Sequence, residues 1–351
     1  MLRTSGFFGR KISMTARRPP GAFRYVKVQV PTISRPLSIS HALGMSSTLE
    51  DPPRGNEPRT PGREPPDPPP QETEIIEKDA ASASFLGTTK RLPEFNLTDK
   101  VVLVSGAARG LGLTQAEALL EAGATVYALD RLPEPSPDFY RVQKRAAEDL
   151  GTTFYYRQID VRDVDGLNKI VTSIGDKHGR MDGLIAAAGI QQETTALDYT
   201  AKDANIMFEI NITGVFMTAQ AVAKQMIKFG NGGSIAMIAS MSAHIANRGL
   251  ICPAYNASKA GVLQLAKNLA SEWGQYGIRV NTISPGYIVT AMVEELFRLY
   301  PERRTDWPEQ NMLGKLSKPE DFRGAAVFLL SPASSYMTGA DLRIDGGHAS
   351  W

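Results

Sequence analysis

A short apolar run, a glycine-rich turn, a helical pattern and a second apolar run follow one another between residues 100 and 130. The first run, Lys100–Ser105, is rich in valine and leucine, as expected of a parallel strand that is buried on both faces. Gly106, Gly110 and Gly112 form the turn that joins this run to the helical pattern. The order predicts a β-α-β unit, which confines the chain to folds with a parallel sheet.

The glycine turn is suited to binding a pyrophosphate, because glycine lets the backbone approach the phosphates at a helix N-terminus with free N–H groups. Its spacing is Gly-x-x-x-Gly-x-Gly rather than the commoner Gly-x-Gly-x-x-Gly. Asp130 closes the second strand, where a carboxylate binds both ribose hydroxyls of adenosine and repels a 2′-phosphate, which favours NAD over NADP. Arg109 and Arg131 favour NADP if they pair with such a phosphate; the alternative for both is exposure to solvent.

Strands and helices continue to alternate after Asp130, which predicts one parallel sheet covered on both faces. The predicted strands are Phe154–Ile159, Asp182–Ala188, Ser234–Ala239, Ile278–Ser284 and Leu342–Ile344, and the predicted helices are Val164–His178, Lys202–Phe229, Ala254–Tyr276 and Glu320–Leu330. Asp160 and Val161 follow a strand and are suited to holding the adenine edge. The segment Val289–Met312 combines large apolar and charged residues, and we expect it to form a lid.

Tyr255 and Lys259 lie one helical turn apart at the start of a predicted helix, so their side chains share a face. A nearby positive charge favours the phenolate and lowers the tyrosine pKa, so the pair is a candidate general acid/base. The same spacing recurs at Tyr140 and Lys144, where we expect only an exposed helix face. The alternative for Tyr255 is a buried tyrosine beside a surface lysine.

Composition excludes several other classes of protein. The single cysteine, Cys252, cannot form an internal disulfide and fits a reducing compartment. The four histidines are scattered, so no His/Cys metal cluster is visible, and we find no apolar run of membrane-spanning length. Residues 1–90 carry 13 Lys/Arg and 9 Asp/Glu, which leaves 26 and 28 for the remainder, so a nucleic-acid partner is not expected.

The first 90 residues are expected to lie outside the folded domain. Residues 1–49 contain eight Lys/Arg, many Ser and no acid, as in a mitochondrial transit peptide. The alternatives are a disordered basic tail, or a leader skipped by starting at Met45, which would leave the protein in the cytoplasm. Residues 50–90 contain nine prolines between positions 52 and 70 and read as a disordered linker. The folded domain is therefore assigned to residues 91–351.

Motifs in order along residues 95–351 resemble the classical short-chain dehydrogenase/reductase family. The glycine turn after Ser105 is similar to the family's Thr-Gly-x-x-x-Gly-x-Gly, and Asn211 matches its helix asparagine. Ser240 matches the catalytic serine, and Tyr255 with Lys259 matches the Tyr-x-x-x-Lys pair. The resemblance implies a single doubly wound parallel-sheet α/β domain of Rossmann type, and an NAD(P)-dependent exchange between a secondary alcohol and a ketone.

The family's roles carry over by resemblance. Ser240 would hydrogen-bond the substrate oxygen, Tyr255 would move its proton, Lys259 would lower the tyrosine pKa and bind the nicotinamide ribose, and Asn211 would hold a water. Ser242 is the alternative for the serine role. The implied cofactor-binding residues are Gly106, Arg109, Gly110, Leu111, Gly112, Asp130, Asp160, Val161, Gly189, Asn211, Tyr255, Lys259, Pro285, Gly286, Ile288 and Thr290.

One motif departs from the family: Ala186-Ala-Ala-Gly189 stands where Asn-Asn-Ala-Gly is usual, so cofactor contacts at Ala186 and Ala187 do not carry over. Within the family, the segments around Ser240 and Asp345 look most like fungal polyol dehydrogenases such as D-arabinitol 2-dehydrogenase.

The resemblance therefore implies a polyol or ketose substrate and a homotetramer formed through the Tyr255 helix and its neighbour and the C-terminal strand. The candidate substrate contacts are Gln191, Gln192, His244 and Tyr287; the alternative for each is a local hydrogen bond. A 3-oxoacyl-thioester reductase and a catalytically idle dinucleotide-binding subunit are the alternative functions.

Overall fold

The computed structural model describes residues 92–351, so the predicted transit peptide and linker lie outside the described residues. Its strands are β1 Val101–Ser105, β2 Thr125–Asp130, β3 Phe154–Gln158, β4 Gly183–Ala186, β5 Gly233–Ile238, β6 Ile278–Pro285 and β7 Asp341–Ile344. Its α-helices are α1 Gly110–Glu121, α2 Pro137–Glu148, α3 Val164–His178, α4 Ala201–Phe208, α5 Val215–Phe229, α6 Pro253–Trp273, α7 Ala291–Leu299, α8 Arg303–Glu309 and α9 Arg323–Leu330.

The strands form one parallel sheet in the order β3-β2-β1-β4-β5-β6-β7. The chain builds outward from β1 to β3, then returns to place β4 on the other side of β1. The connections from β1 and β4 therefore leave in opposite directions and open a crevice at the carboxyl ends of these strands. The predicted doubly wound α/β fold is confirmed, and the crevice is where the candidate site lies.

The sheet is buried on both faces, which explains the uninterrupted apolar run of β1. Val101 and Leu103 pack into one core cluster with α3, α5 and α6. Val102 and Val104 point the other way into a second cluster with α1, α2 and α9. Because successive side chains alternate between faces, a strand between two helical layers needs apolar residues at every position.

The predicted helix Lys202–Phe229 is interrupted by a π-helical turn, Glu209–Gly214, between α4 and α5. By length and composition alone, the segment Ala201–Phe229 could cross a membrane, since an 18-residue window within it has a mean hydropathy of 1.4. The sequence analysis missed this run. A core helix meets the same criterion, and here α5 packs on α3 and β4 with Val222 fully buried.

Candidate active site

The turn between β1 and α1 needs glycine at two positions for steric reasons. Gly106 (φ +70°) lies so close to the loop after β4 that a Cβ would come within 2.8 Å of the Ala188 backbone. A Cβ at Gly112 would collide with the carbonyl oxygen of Gly106. At Gly110 (φ +59°), by contrast, a Cβ would meet no atom within 4 Å. The turn therefore packs tightly against the loop after β4, and it leaves open space beside Gly110 at the N-terminus of α1.

That open space fits the pyrophosphate of a dinucleotide. Arg109 is the N-cap residue of α1 and provides no side-chain cap, so the first N–H groups of the helix remain available for a phosphate. The Arg109 side chain is exposed and Leu111 is half-buried. The helix dipole adds a favourable field for an anion at this end. The residues of the turn thus suit NAD or NADP on the structure's own geometry.

Asp130, the last residue of β2, lies beside the glycine turn. Its Oδ2 accepts a hydrogen bond from the Ala108 N–H (3.1 Å) and its Oδ1 accepts one from the Leu132 N–H (3.2 Å). These bonds orient the carboxylate, and each oxygen keeps a lone pair for a ribose hydroxyl. The neighbouring Arg131 side chain is exposed. The geometry favours ribose hydroxyls over a 2′-phosphate at this position.

Asp160 follows β3, and its carboxylate is bound by Arg162. The Arg162 Nη2 donates to Oδ2 at 2.7 Å and Nε donates to Oδ1 at 3.1 Å. This hydrogen bonding lowers the pKa of the Asp160 carboxyl. Val161 is buried. The ion pair holds Asp160 at the strand end, and its adenine role stays a prediction.

The loop after β4 begins two residues earlier than predicted, because the strand ends at Ala186. Ser105 secures this loop, since its hydroxyl oxygen accepts a hydrogen bond from the Ala188 N–H at 3.2 Å. Gly189 then passes the catalytic residues, where a Cβ would lie 3.3 Å from Asn211 Oδ1 and 3.5 Å from Lys259 Nζ. The hydrogen bond from Ala188 to the Ser105 hydroxyl and the small size of Gly189 hold the loop at the site, although alanines stand at positions 186 and 187.

Asn211 lies in the π-helical turn and is fully buried. Its Oδ1 accepts from the Ile190 N–H (2.9 Å), and its Nδ2 donates to the Ile190 carbonyl (2.9 Å) and to the Ser258 hydroxyl (3.0 Å). The Ser258 hydroxyl in turn donates to the Tyr255 carbonyl at 2.7 Å. The Asn211 amide therefore links the loop after β4 to α6 and fixes the position of the helix that carries Tyr255.

Ser240, Tyr255 and Lys259 meet at the carboxyl end of β5. Ser240 lies two residues after the end of the strand, and its hydroxyl oxygen accepts from the Ser242 N–H at 3.1 Å. The Lys259 ammonium donates to the Ile238 carbonyl at 2.8 Å and lies 5.7 Å from the centroid of the Tyr255 ring. The Ser240 hydroxyl lies beside the Tyr255 phenol and favours its ionised form. This contact favours Ser240 over Ser242 for the serine role, which stays a prediction.

Burial is the largest influence on the pKa values of Tyr255 and Lys259. It raises the pKa of Tyr255 to about 12, against the smaller opposing effect of Ser240. It lowers the pKa of Lys259 to about 8. Desolvation of the phenolate is thus the largest effect on the Tyr255 pKa in the protein alone, and the expectation that Lys259 lowers this pKa stays a prediction. At neutral pH the phenol holds its proton, ready to be donated to a ketone oxygen.

The turn after β6 contains the residues matched to the nicotinamide end. Gly286 packs so closely on Asp345 that a Cβ would come within 2.8 Å of the Asp345 Cα. Ile288 forms a parallel bridge with Ser317. Thr290 caps α7 by accepting from the Val293 N–H at 3.4 Å. Pro285 ends β6, so the turn is fixed at the carboxyl edge of the sheet.

The four candidate substrate residues have different surroundings. His244 is paired through Nε2 with Asp341 Oδ2 at 2.9 Å, which is the local hydrogen bond of the alternative interpretation. Gln192 donates to the Thr194 hydroxyl at 3.1 Å. Burial raises the pKa of the Cys252 thiol to about 11, and the adjacent Gln191 amide opposes that rise. Tyr287 stacks on Trp307 with ring centroids 4.0 Å apart. Gln191 thus lies beside the Cys252 thiol, and the substrate roles of all four residues stay predictions.

The sequence analysis missed a small apolar cluster beside Tyr255. Leu250, Cys252, Phe297 and Trp307 form a small buried cluster, and Tyr255 and Tyr287 pack against it. The expected lid supplies part of this cluster through α7 and α8. The four cluster residues are spread over 58 positions, so no local spacing in the sequence marks them as neighbours.

An ion pair fastens the lid to the loop after β4. The Arg303 guanidinium donates to both carboxylate oxygens of Glu193, at 2.9 and 2.6 Å, and only 9% of Arg303 is exposed. The pair joins residues 110 positions apart in the chain. Nothing in the sequence singled out either residue, since each reads as a surface charge by itself.

Comparison with known proteins adds to this geometry. A family model described as enoyl-(acyl carrier protein) reductase matches residues 106–349. A short-chain dehydrogenase/reductase of Aspergillus versicolor is 39% identical over 262 residues, which cover 73% of this chain and 89% of the relative. This chain belongs to the short-chain dehydrogenase/reductase family. It is accordingly an NAD(P)-dependent alcohol dehydrogenase that interconverts an alcohol and a ketone.

Other members of the family are named for sugar-related alcohols and for other alcohols. The ribulose-forming D-arabinitol 2-dehydrogenase of Candida albicans is 34% identical over 270 residues, covering 74% of this chain and 96% of the relative. A gluconate 5-dehydrogenase from Burkholderia cenocepacia, solved with NADP and tartrate, is 31% identical with a TM-score of 0.67, over 75% of this chain and all of that one. A carveol dehydrogenase from Mycobacterium avium, solved with NAD, is 30% identical with a TM-score of 0.67, over 73% and 99%.

Proposed function

We propose that this enzyme interconverts a polyol and its 2-ketose, with D-arabinitol and D-ribulose as the substrate pair. The observation that carries the proposal is the meeting of Ser240, Tyr255 and Lys259 at the carboxyl end of β5. The similarity to the D-arabinitol 2-dehydrogenase of Candida albicans supports the choice of substrate. The position of Asp130 beside the glycine turn supports NAD over NADP.

The chain's own residues would orient the substrate and move one proton. NAD(H), held by the glycine turn and Asp130, would supply the hydride chemistry at the carbinol or ketone carbon. The Ser240 and Tyr255 hydroxyls would hydrogen-bond the reacting oxygen and fix the carbon beside the cofactor. During ketone reduction, Tyr255 donates its phenolic proton to the developing alkoxide.

During alcohol oxidation, the phenol must first lose its proton so that it can accept the one on the alcohol. The Lys259 ammonium, 5.7 Å from the ring centroid, stabilises the phenolate at that stage. Asn211 acts by positioning, since its amide is hydrogen-bonded to Ile190 and Ser258. By resemblance, we expect a water at the π-helical turn to carry the proton outward.

The test is steady-state turnover by the full-length protein. D-arabinitol and mannitol are offered with NAD and NADP, and ribulose and fructose with NADH and NADPH. We expect efficient turnover of arabinitol and ribulose with NAD(H). Tyr255→Phe should lose turnover while it still binds the cofactor, which also separates an enzyme from an idle dinucleotide-binding subunit. Turnover that survives in Tyr255→Phe would refute the acid/base assignment.

A 3-oxoacyl-thioester reductase is the second candidate, because the matching family model is described by an acyl-carrier substrate. It would require NADPH, which the Asp130 carboxylate disfavours. An acetoacetyl thioester is therefore included in the same assay. Turnover of this thioester with NADPH, and of no polyol, would contradict the polyol proposal and support the acyl one.

We also propose a mitochondrial location and a homotetramer. The acid-free residues 1–49 support the location, and the family resemblance supports the assembly. Fusing residues 1–49 to a fluorescent reporter tests the first, and the mass of the purified protein in solution tests the second. A cytoplasmic reporter or a monomeric mass would refute the respective proposal.

A further inference from the structure

A cavity of about 230 Å³ lies between α3 and the strands β2 and β3, where the sheet ends at β3. None of the residues matched to the cofactor, the substrate or the catalytic group lines this cavity. It is therefore separate from the candidate active site. Its lining residues come from three elements and are Tyr127, Arg157, Lys169, Ile170, Ser173, Ile174 and Lys177.

The side of α3 that faces the cavity carries two lysines. Lys169, Ser173 and Lys177 are spaced four residues apart, so they form one row along the helix. All three are exposed, which leaves their polar ends open to a solute. Ile174, next to Ser173, is by contrast buried in the core.

Arg157 brings a third cation from the sheet. Tyr155 and Arg157 are two residues apart on β3 and share a face of the strand. Tyr155 stacks on Tyr127, with ring centroids 4.5 Å apart. The guanidinium carbon of Arg157 lies 5.8 Å from both ring centroids, and Lys177 Nζ lies 4.5 Å from that of Tyr155. Cations from two elements are thus placed around one aromatic stack.

These cations have no acidic partner in the described part of the chain. Within residues 92–351, no carboxylate forms a salt bridge with Arg157, Lys169 or Lys177. Asp176, adjacent to Lys177 in the chain, is paired with Lys228 instead. A hydrogen bond to Tyr155 raises the pKa of Lys177, so its ammonium persists at neutral pH. Protein surfaces usually intersperse charges of both signs, so this cavity has the charge of an anion site.

We propose that the cavity binds a small phosphate monoester with an apolar organic part. A phosphate monoester carries a charge of about −1.5 to −2 near neutral pH, which suits several cations better than the single charge of a carboxylate. The Arg157 guanidinium matches the geometry of phosphate oxygens, and the Ser173 hydroxyl adds a donor. The half-buried Ile170 would contact the organic part.

The size of the cavity limits the ligand. Pockets for drug-sized ligands measure about 300–1,000 Å³, and this cavity, at about 230 Å³, is smaller. It therefore suits a small ester rather than a whole dinucleotide.

Isothermal titration calorimetry of the full-length protein tests the proposal, with NAD in excess so that the glycine turn is occupied. The probes are phenyl phosphate, inorganic phosphate and benzoate. We expect phenyl phosphate to bind at least about threefold more tightly than inorganic phosphate, because its ring buries apolar surface against Ile170. Benzoate should bind most weakly, because it carries a single charge.

Variants locate the binding. Lys169→Gln/Lys177→Gln should weaken the binding of phenyl phosphate about tenfold or more. Arg157→Gln removes the cation of the other element and should weaken it in the same direction. Lys144→Gln/Lys202→Gln is the matched control, because it removes the same charge from two exposed lysines outside the cavity; its effect should stay below about twofold.

Several results would overturn the proposal. They are the absence of saturable binding of phenyl phosphate to the wild type, an equal loss in the control double variant, and benzoate binding as tight as that of phenyl phosphate. Equal affinities for inorganic and phenyl phosphate would overturn the ester in favour of free phosphate. No polyol enters these titrations, so their outcome is independent of the proposed polyol function.

Discussion

Replacing Lys259 by methionine should stabilise the protein at neutral pH while turnover is lost. Only 5% of Lys259 is exposed, and burial lowers its pKa from 10.5 to about 8. Each pKa unit corresponds to about 1.4 kcal/mol, so holding the buried ammonium costs the folded state about 3 kcal/mol at neutral pH. Methionine removes the charge and keeps the volume. The Ile238 carbonyl loses its 2.8 Å partner, which offsets about 1–2 kcal/mol.

The pH dependence gives the prediction its sign. The folded pKa of Lys259 lies below the unfolded value, so the unfolded chain binds more protons between pH 8 and pH 10.5. The free energy of unfolding of the wild type therefore rises with pH across that window. It falls again as the pH drops from 10.5 toward the folded pKa of about 8. Methionine does not titrate. The advantage of Lys259→Met should thus be about 1–2 kcal/mol near neutral pH and shrink or reverse toward pH 10.

Urea unfolding of both proteins from about pH 7 to about pH 10 measures this difference. Lys267→Met is the matched control, because Lys267 lies on the same helix and is exposed; its effect should be small at every pH. A Lys259→Met protein that differs from the wild type by the same amount at all pH values would refute the reasoning. A Lys259→Met protein that is destabilised as much near neutral pH as at high pH would also refute it.

Three further predictions test the cofactor turn and the lid. Gly110→Ala should cost only about 1–2 kcal/mol of stability, since its left-handed backbone is strained but its Cβ meets no atom; NADH affinity, followed by fluorescence titration, should fall at least about tenfold, and an unchanged affinity would place the pyrophosphate elsewhere. Asp130→Ala should raise the NADP-to-NAD ratio of kcat/KM by about tenfold or more; an unchanged ratio would mean that Asp130 does not choose the cofactor. Glu193→Gln leaves the nearly buried Arg303 guanidinium without an anion, so the free energy of unfolding should fall by about 1–3 kcal/mol; equal urea midpoints would show that the ion pair adds nothing.

The sequence predicts the elements that carry a strong local pattern. The β1 run, the glycine turn and the helix of Tyr255 lie where the alternation and the turn residues indicate, because each is specified by residues close together in the chain. Tyr140 and Lys144 repeat the spacing of the catalytic pair, yet both are exposed on α2 as predicted. Context after a strand end, rather than spacing, therefore identifies the site.

What the sequence could not predict depends on contacts between distant segments. The π-helical turn at Asn211 leaves the apolar pattern of a single helix nearly intact, so the pattern cannot reveal it. The Glu193–Arg303 pair forms only when the expected lid packs against the loop after β4. The raised pKa of Tyr255 likewise comes from burial, which no count of nearby charges in the sequence can measure.

The π-helical turn Glu209–Gly214 also bears on how this segment tolerates changes in length. Met207 before the turn and Val215 after it are both buried, so α4 and α5 each present a defined face to the core. A π-helical turn holds one residue more than the α-helical turn it replaces, so removing one residue within it would restore a regular helix and keep the buried faces of α4 and α5 toward the core. Removing one residue from α5 itself, by contrast, would rotate the two parts of that helix by about 100° relative to each other. The turn is therefore the place where this segment can lose a residue without misplacing a helix.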